Sequence, residues 1–351
     1  MVRVPARLDA AIELSRANSP IRLVAAGALV MMHENCPVTG KIFNAGTGRV
    51  GGGGRQGHAR LRVAGIRKEI AMRIGLLGMG EMGFAFARRL IAQGHQVVGY
   101  DPDPSRSESA TNAGVTAASS PAEVARRADS VVILIVQTQA HAEKACLGPD
   151  GCLGQINTKV LVVMSSLNPE FVQQLEGQSE ARGGHLVDAT VGSGAGDALK
   201  GSMLVMVSGK PQARMLAEPV LGELADRPEV VGDHVGDAQV MKLITQVAMG
   251  VNMAGAVESI RIANHFGLDL ADTLRVVGRS PGASYVSENW QFLAEVIKSH
   301  NVENIHKDLR ALISRGVEGD LETPVAAAAM YSLRHDWPVA DGAVALAGQG
   351  R

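Results

Sequence analysis

A short apolar segment that runs directly into closely spaced glycines constrains the fold of this chain more than any other stretch. Residues 73–77 are largely apolar, and the glycines after them follow the spacing G-x-G-x-x-G. This order is typical of a β-strand, a tight turn and a helix whose first N–H groups can hold a pyrophosphate. The pattern predicts a dinucleotide site whose residues are Gly78, Met79, Gly80, Glu81, Met82 and Gly83.

A second predicted strand strengthens this interpretation. Residues 96–100 are mostly apolar and end at Asp101, about 20 residues after Gly80, where a dinucleotide site needs a carboxylate for the adenosine ribose. Without that carboxylate, a glycine-rich turn used only for packing would be the simpler hypothesis. Asp101 would accept from a 2′-hydroxyl and repel a 2′-phosphate, which favours NAD as the cofactor. Arg106 is close enough in sequence to keep NADP as the less favoured alternative.

Composition limits the other classes of function. The chain has 351 residues, 46% of them apolar, and a net charge of −1, as expected for a globular protein with two domains. Aromatic residues make up only 3%, and there is no excess of positive charge, so a nucleic-acid partner is not expected. The three cysteines lack a C-x-x-C pair, which predicts reduced thiols and no metal site. The apolar stretch Leu23–Met32 is too short to span a bilayer, so we expect a cytoplasmic protein without a membrane partner.

The order of apolar and polar segments predicts two folded domains behind an extension. From 72 to 235, strands alternate with helices, which indicates an α/β domain with a doubly wound parallel sheet, the Rossmann architecture. From 236 to 351 only helices are expected, so this part is an all-α C-terminal domain. Its first helix, about 238–266, is apolar on nearly all sides, and such helices are normally buried. Burial between subunits would account for this, and we expect a homo-oligomer, either a dimer or a tetramer.

Three further motifs carry a family resemblance. Residues 188–194 are similar to the motif D-A-P-V-S-G-G, and residues 236–246 are similar to G-x-G-x-x-x-K-x-x-N-[NQ]. Residues 307–309 match a Lys-Asp-Leu segment. Together with the glycine motif, they make the chain from Met72 to about 346 resemble the β-hydroxyacid dehydrogenases, the family of the 3-hydroxyisobutyrate, tartronate semialdehyde and L-threonate dehydrogenases.

The resemblance implies roles for individual residues. It implies general acid/base catalysis by Lys242, with Gln246 orienting the substrate beside it. Substrate contacts are expected at Gly192, Ser193, Gly194 and Asp308. Further cofactor contacts are expected at Val136, Gln137, Ser166 and Lys307.

The residues themselves support a catalytic lysine. A lysine near the start of an apolar helix is costly to bury, and desolvation lowers its pKa towards the range of a general base. Gln246 follows one turn later on the same face. Glutamine at this position resembles the L-threonate branch of the family and favours longer polyhydroxy acids. The chain departs from the family pattern at Ala238, Thr245 and Thr190, and the serine and first glycine of the substrate loop have exchanged places at 192 and 193.

The leading hypothesis is an NAD-dependent oxidoreductase that transfers a hydride between the nicotinamide and a small β-hydroxy acid. A first alternative is an imine reductase on the same fold, although those enzymes usually lack the lysine that Lys242 represents. A second alternative is a cofactor-binding scaffold without catalysis, which the altered substrate loop would suit.

The N-terminal segment does not belong to this pattern. Four consecutive glycines at 51–54, followed by a basic stretch, predict a flexible linker. Residues 33–50 resemble the C-terminal end of a short-chain dehydrogenase/reductase. A segment of this length cannot easily bury a core of its own. We therefore expect residues 1–71 to be an atypical, poorly ordered extension without a catalytic role.

Overall fold

The computed structural model of the chain describes residues 12–13, 21–25, 28–32, 71–290, 307, 309–310, 312–314 and 321–335. The chain divides into two compact units, residues 1–70 and residues 71–351. The predicted linker at 51–54, the segment 33–50 and Asp308 lie outside the described residues.

The first unit contains a small antiparallel sheet. Its strands are β1 (Ile12–Glu13), β2 (Ile21–Ala25) and β3 (Ala28–Met32). β2 pairs antiparallel with β3, and β1 pairs with the other edge of β2. The expectation that residues 1–71 are poorly ordered and take no part in catalysis stays a prediction.

The second unit is built on an eight-stranded sheet of order β11-β10-β9-β8-β7-β4-β5-β6. Its strands are β4 (Arg73–Leu77), β5 (Gln96–Tyr100), β6 (Thr116–Ala117), β7 (Val131–Leu134), β8 (Val160–Val163), β9 (His185–Val191), β10 (Val205–Ser208) and β11 (Glu229–Gly232). Fully buried, largely β-branched side chains fill β7 and β8, as expected for central strands covered on both faces.

The sheet is parallel as predicted except for one pair of strands, because β10 runs antiparallel to β9. The connection between them returns at the carboxyl end of β9, where the N–H of Gly192 donates to the carbonyl of Leu204 at 2.8 Å. This bond closes the connection like a wide hairpin, so the chain re-enters the sheet in the opposite direction. All other pairs in this sheet are parallel.

Helices cover both faces of the sheet. They are α1 (Glu81–Ala92), α2 (Pro104–Asn112), α3 (Pro121–Arg127), α4 (Gln139–Leu147), α5 (Pro169–Glu180), α6 (Ala195–Lys200) and α7 (Pro211–Leu224). Local sequence determines the start of α3, since the Ser120 hydroxyl accepts from the N–H of Glu123 and Pro121 takes the first helical position. One core lies around Phe86 and the other around Phe171, on opposite faces of the sheet.

The described residues of the C-terminal part, from 237 on, form helices and the turns between them, as predicted. They are α8 (Asp237–His265), α9 (Leu270–Val277), α10 (Tyr285–Glu288) and α11 (Pro324–His335). Met253, Ile260, Trp290 and Leu309 are buried in a separate helical core. Between 291 and 320, only residues 307, 309–310 and 312–314 are described, and they are helical.

α8 is less buried than its composition suggests. Val240, Ile244, Ile262 and Phe266 at its C-cap are exposed. Among the described residues, α8 is the helix whose length and hydropathy would permit a membrane crossing. Of its most apolar 18-residue stretch, 33% is buried within the chain. A core helix of a soluble protein meets the same criterion.

Candidate active site

The predicted cofactor residues meet at one edge of the sheet. β4, β5, β7 and β8 are parallel neighbours, so their carboxyl ends lie at the same edge. From β4 the strand order continues through β5 and β6 to one edge of the sheet, and from β7 it continues to the other edge. The order therefore reverses between β4 and β7, and a crevice forms at the carboxyl ends of these two strands. Gly78, Asp101, Val136 and Ser166 each follow the end of one of these strands.

The glycine turn has the shape that a phosphate cradle requires. Gly78 adopts φ +96°, and a Cβ there would lie 2.2 Å from the carbonyl oxygen of Ile135. A Cβ on Gly83 would lie 2.0 Å from the carbonyl oxygen of Gly78, so the helix approaches the turn closely. The space beside Gly80 is open, because the nearest atom to a Cβ placed there would be a guanidinium nitrogen of Arg106, at 3.8 Å. No side chain caps the start of α1, and its N–H groups can therefore serve an anion.

Asp101 lies at the end of β5, and its carboxylate stabilises the glycine turn through a hydrogen bond. Its Oδ2 accepts a hydrogen bond from the N–H of Met79 at 2.7 Å, and its Oδ1 accepts one from the N–H of Asp103 at 3.0 Å. Arg106 forms an ion pair with the same carboxylate at 3.8 Å, while half of its own side chain is exposed. Asp101, which is predicted to bind the ribose, therefore lies opposite Arg106, the residue that would favour NADP. Both lie beside the glycine turn.

The loops after β7 and β8 are joined to each other and to the helical part. The hydroxyl of Ser165, beside the predicted contact Ser166, accepts from the N–H of Val136 at 2.7 Å. Lys307 donates from Nζ to the carbonyl of Gln137 at 3.2 Å, although 170 residues separate them. The structure thus brings Lys307 to the predicted cofactor loop.

The predicted substrate loop continues from the carboxyl end of β9. Gly192 and Gly194 are exposed and Ser193 is half-buried. The N–H of Gly192 already serves Leu204, and the Ser193 hydroxyl accepts from the N–H of Leu204 at 3.1 Å. An accepting hydroxyl can still donate its own hydrogen to a substrate.

A buried carboxylate that the sequence analysis did not select holds the start of α8. Asp188 in β9 is fully buried and accepts at Oδ2 from the N–H groups of Gly236 and Gln239, both at 3.1 Å. The Ser208 hydroxyl donates to the same oxygen at 3.3 Å, and the Gln239 side chain donates to Oδ1 at 2.7 Å. Burial raises the pKa of Asp188 to about 6, while these hydrogen bonds act in the opposite direction. At neutral pH, Asp188 is therefore an anion at the positive end of α8.

The predicted catalytic side chains follow on the same helix. Gln239, Lys242 and Gln246 are spaced by three and four residues and share one face of α8. Gln239 and Gln246 are buried, and Lys242 between them is half-buried. Gln239 bonds to the loop after β8 and to Asp188 in β9, so the face of α8 that it shares with Lys242 is the one that packs against this part of the sheet.

The described residues contain no cluster of three or more histidine, cysteine or acidic side chains that could hold a metal ion. Cys146 and Cys152 are buried free thiols, and the hydrogen bond between them and burial raise the pKa of Cys146.

Comparison with known proteins agrees with this geometry. Residues 73–236 match a family model described as the NAD binding domain of 6-phosphogluconate dehydrogenase. Residues 236–335 match one described as "NAD-binding of NADP-dependent 3-hydroxyisobutyrate dehydrogenase". The boundary between the two matches falls at Gly236, the cap of α8.

Individual proteins show the same similarity. The L-threonate dehydrogenase of Cupriavidus necator is 30% identical over 262 residues, which cover 73% of this chain and 87% of that protein. A crystal structure of 3-hydroxyisobutyrate dehydrogenase from Salmonella typhimurium has 25% identity and a TM-score of 0.64, covering 76% of this chain and 98% of that one. An imine reductase from Streptomyces aurantiacus shares the fold at 19% identity and a TM-score of 0.56, covering 80% of this chain and 99% of the other.

Fold and site together define an NAD(P)-binding oxidoreductase with a Rossmann domain and a helical C-terminal domain. The chain belongs to the β-hydroxyacid dehydrogenase family.

Proposed function

We propose that this chain oxidises a small β-hydroxy acid with NAD and that Lys242 accepts the hydroxyl proton. The observation that carries the proposal is the attachment of α8 to the carboxyl edge through Asp188 and Gln239, one turn before Lys242. When bound, the nicotinamide accepts the hydride that leaves the substrate carbon.

The remaining roles fall to groups around the same edge. The glycine turn and the start of α1 bind the pyrophosphate, and Asp101 accepts from the adenosine ribose. Lys307 steadies the loop after β7. Gln246, buried on the Lys242 face, orients the substrate hydroxyl by accepting or donating a hydrogen bond.

The loop that contains Gly192, Ser193 and Gly194 is proposed to hold the substrate carboxylate. Its hydroxyl is displaced by one position relative to the family motif, and Ser193 already accepts from Leu204. This arrangement, with glutamine at 246, favours a longer polyhydroxy acid such as a four-carbon sugar acid. One of the proteins similar to this chain, from Cupriavidus necator, is named L-threonate dehydrogenase, and L-threonate is an acid of that kind.

The first test is a panel of hydroxy acids of three to five carbons, assayed with NAD by absorbance of the reduced nicotinamide. Turnover that is highest on polyhydroxy acids would support the proposal. Turnover on a cyclic imine with no activity on any hydroxy acid would instead favour the imine reductase alternative. Cofactor binding without turnover on either class would favour a silent scaffold.

We also propose that the active form is a homo-oligomer in the cytoplasm, without a nucleic-acid or membrane partner. The homo-oligomer is supported by the exposed apolar surface of α8, where Ile262 and Phe266 lie four residues apart beside Glu258 and Arg261. Opposite charges beside an apolar pair suit a two-fold contact, in which the acid of one copy meets the base of the other. A second copy of the chain is the occupant we propose for this surface.

A further inference from the structure

The side chain of Gln239 joins the first turn of α8 to the loop after β8 and to the middle of the neighbouring strand β9. It is 2% exposed. Its Oε1 accepts from the N–H of Leu167 at 2.8 Å, and its Nε2 donates to the carbonyl of Ser165 at 3.1 Å. The second hydrogen of Nε2 goes to Oδ1 of Asp188 at 2.7 Å.

These partners fix the orientation of the amide. A backbone N–H only donates and a carbonyl only accepts, so Leu167 and Ser165 determine which end of the Gln239 amide faces each of them. Both amide hydrogens and the amide oxygen are engaged. A buried polar group satisfied in this way tolerates little displacement, because any shift leaves several buried groups without partners.

The segment held by Gln239 is the one expected to face the nicotinamide. Ser166 lies between the two residues that bond to the amide. On the helix, Lys242 follows Gln239 by three residues, about 4.5 Å along the axis. The Gln239 side chain therefore connects the loop that is predicted to face the nicotinamide to the helix that carries Lys242, the predicted base.

We propose that Gln239 is a positioning residue that fixes the distance between the Lys242 amine and the loop 165–167, and thereby the geometry of proton and hydride transfer. The inference rests on the proposed function, since it assumes that Lys242 is the base. A misplacement of about 1 Å at a reacting centre can lower a rate on the order of 100-fold.

The test replaces Gln239 by methionine, which keeps the volume and removes the three side-chain hydrogen bonds, and separately by glutamate, which places a carboxylate against Asp188. The matched control is Gln173→Met, because Gln173 donates to the carbonyl of Val235 at the turn before α8 without touching the loop 165–167. We expect kcat of both Gln239 variants to fall about 10- to 100-fold. Their Kd for NADH should change less than threefold, the primary deuterium isotope effect on kcat should rise, and the control should stay within twofold of the wild type.

A second readout needs no substrate. Hydrogen exchange of the Leu167 amide should accelerate in Gln239→Met and stay at the wild-type rate in Gln173→Met. If the wild-type chain turned over no hydroxy acid, the proposed function would fail, while this exchange would still test the connection. A wild-type kcat in a variant whose Leu167 amide exchanges faster would overturn the inference. So would a parallel loss of NADH affinity, or failure of both Gln239 variants to fold, since each outcome assigns Gln239 a structural role.

Discussion

Oδ2 of Asp101 accepts a hydrogen bond from the backbone N–H of Met79, with 2.7 Å between the two atoms. The carboxylate expected to select the ribose therefore also holds the turn between the first two glycines of the motif. Arg106 pairs with the same carboxylate and lies nearest to the open side of Gly80. Cofactor preference and the shape of the phosphate cradle are thus coupled through one side chain.

Asp101→Asn is expected to weaken the preference for NAD over NADP. The change removes the negative charge that repels a 2′-phosphate and releases Arg106 from its ion pair, while one acceptor for Met79 is kept. We expect kcat/KM for NAD to fall about tenfold, equivalent to roughly 1.4 kcal/mol. The ratio of kcat/KM for NAD to that for NADP should fall further, and steady-state kinetics with both cofactors measures it.

Asp103→Asn is the control for this prediction. Asp103 also pairs with Arg106, at 3.5 Å, and caps α2, but its carboxylate does not contact the glycine turn. An equal shift in cofactor ratio in both variants would show that Arg106 pairing alone decides the preference, contrary to the role given to Asp101.

Lys307→Met is expected to weaken cofactor binding without unfolding the chain. The change removes the hydrogen bond to the Gln137 carbonyl, and with it a link between the helical part and the loop after β7. Because Lys307 is exposed, we expect the Kd for NADH to rise only about threefold to tenfold, with a melting temperature within about 2 °C of the wild type. Arg310→Met, an exposed cation three residues further on, is the control. An unchanged Kd in Lys307→Met would remove Lys307 from the cofactor site.

The buried carboxylate of Asp188 should leave a signature in the pH dependence of stability. Burial raises its pKa from 3.8 to about 6, so the unfolded chain releases this proton first as the pH rises. The part of the stability that comes from protonated Asp188 is therefore fully present below about pH 4 and is lost as the pH rises to about 6, whereas the hydrogen bonds of the carboxylate remain. This difference in pKa corresponds to roughly 3 kcal/mol.

Urea denaturation of the wild type and Asp188→Asn between pH 4 and 7 measures this contribution. The variant should be less stable than the wild type at every pH, since Asp188 accepts from Gly236 and Gln239. The gap between the two unfolding free energies should narrow as the pH rises. A gap that stays constant or widens would contradict the raised pKa.

Ile262→Glu is expected to dissociate the proposed oligomer. Ile262 is 55% exposed on α8, and a carboxylate there would be desolvated against a second copy. Sedimentation equilibrium should show a shift towards the monomer mass. Met215→Glu on α7, where the side chain is 68% exposed, should leave the mass unchanged. A wild-type chain that is itself monomeric would contradict the proposed contact.

Local signals in the sequence predicted most of the architecture. The strands β4 and β5 lie at their predicted positions, because apolar runs act over a few residues. The direction of β10 could not be predicted in this way. It depends on how the segment 192–204 closes on itself, which is a contact between distant residues.

The same limit applies to the site. The glycine motif and Lys307 were found because family motifs mark them, and the structure places both at the carboxyl edge. Asp188 was noted only as the first residue of a loop motif, and Gln239 was not selected at all. An amide in a helix gives no signal in sequence, since its role depends on partners in β9 and in the loop after β8 that are more than 50 residues away.

The most direct test of the account compares Lys242→Ala with Lys144→Ala, an exposed lysine of α4 that lies outside the proposed site. Turnover of the best hydroxy acid and binding of NADH by fluorescence are measured on both. We predict that Lys242→Ala loses at least 100-fold in kcat while its Kd for NADH stays within threefold, and that Lys144→Ala matches the wild type. Turnover by Lys242→Ala within a few-fold of the wild type would contradict the account, because another group would then have to accept the proton.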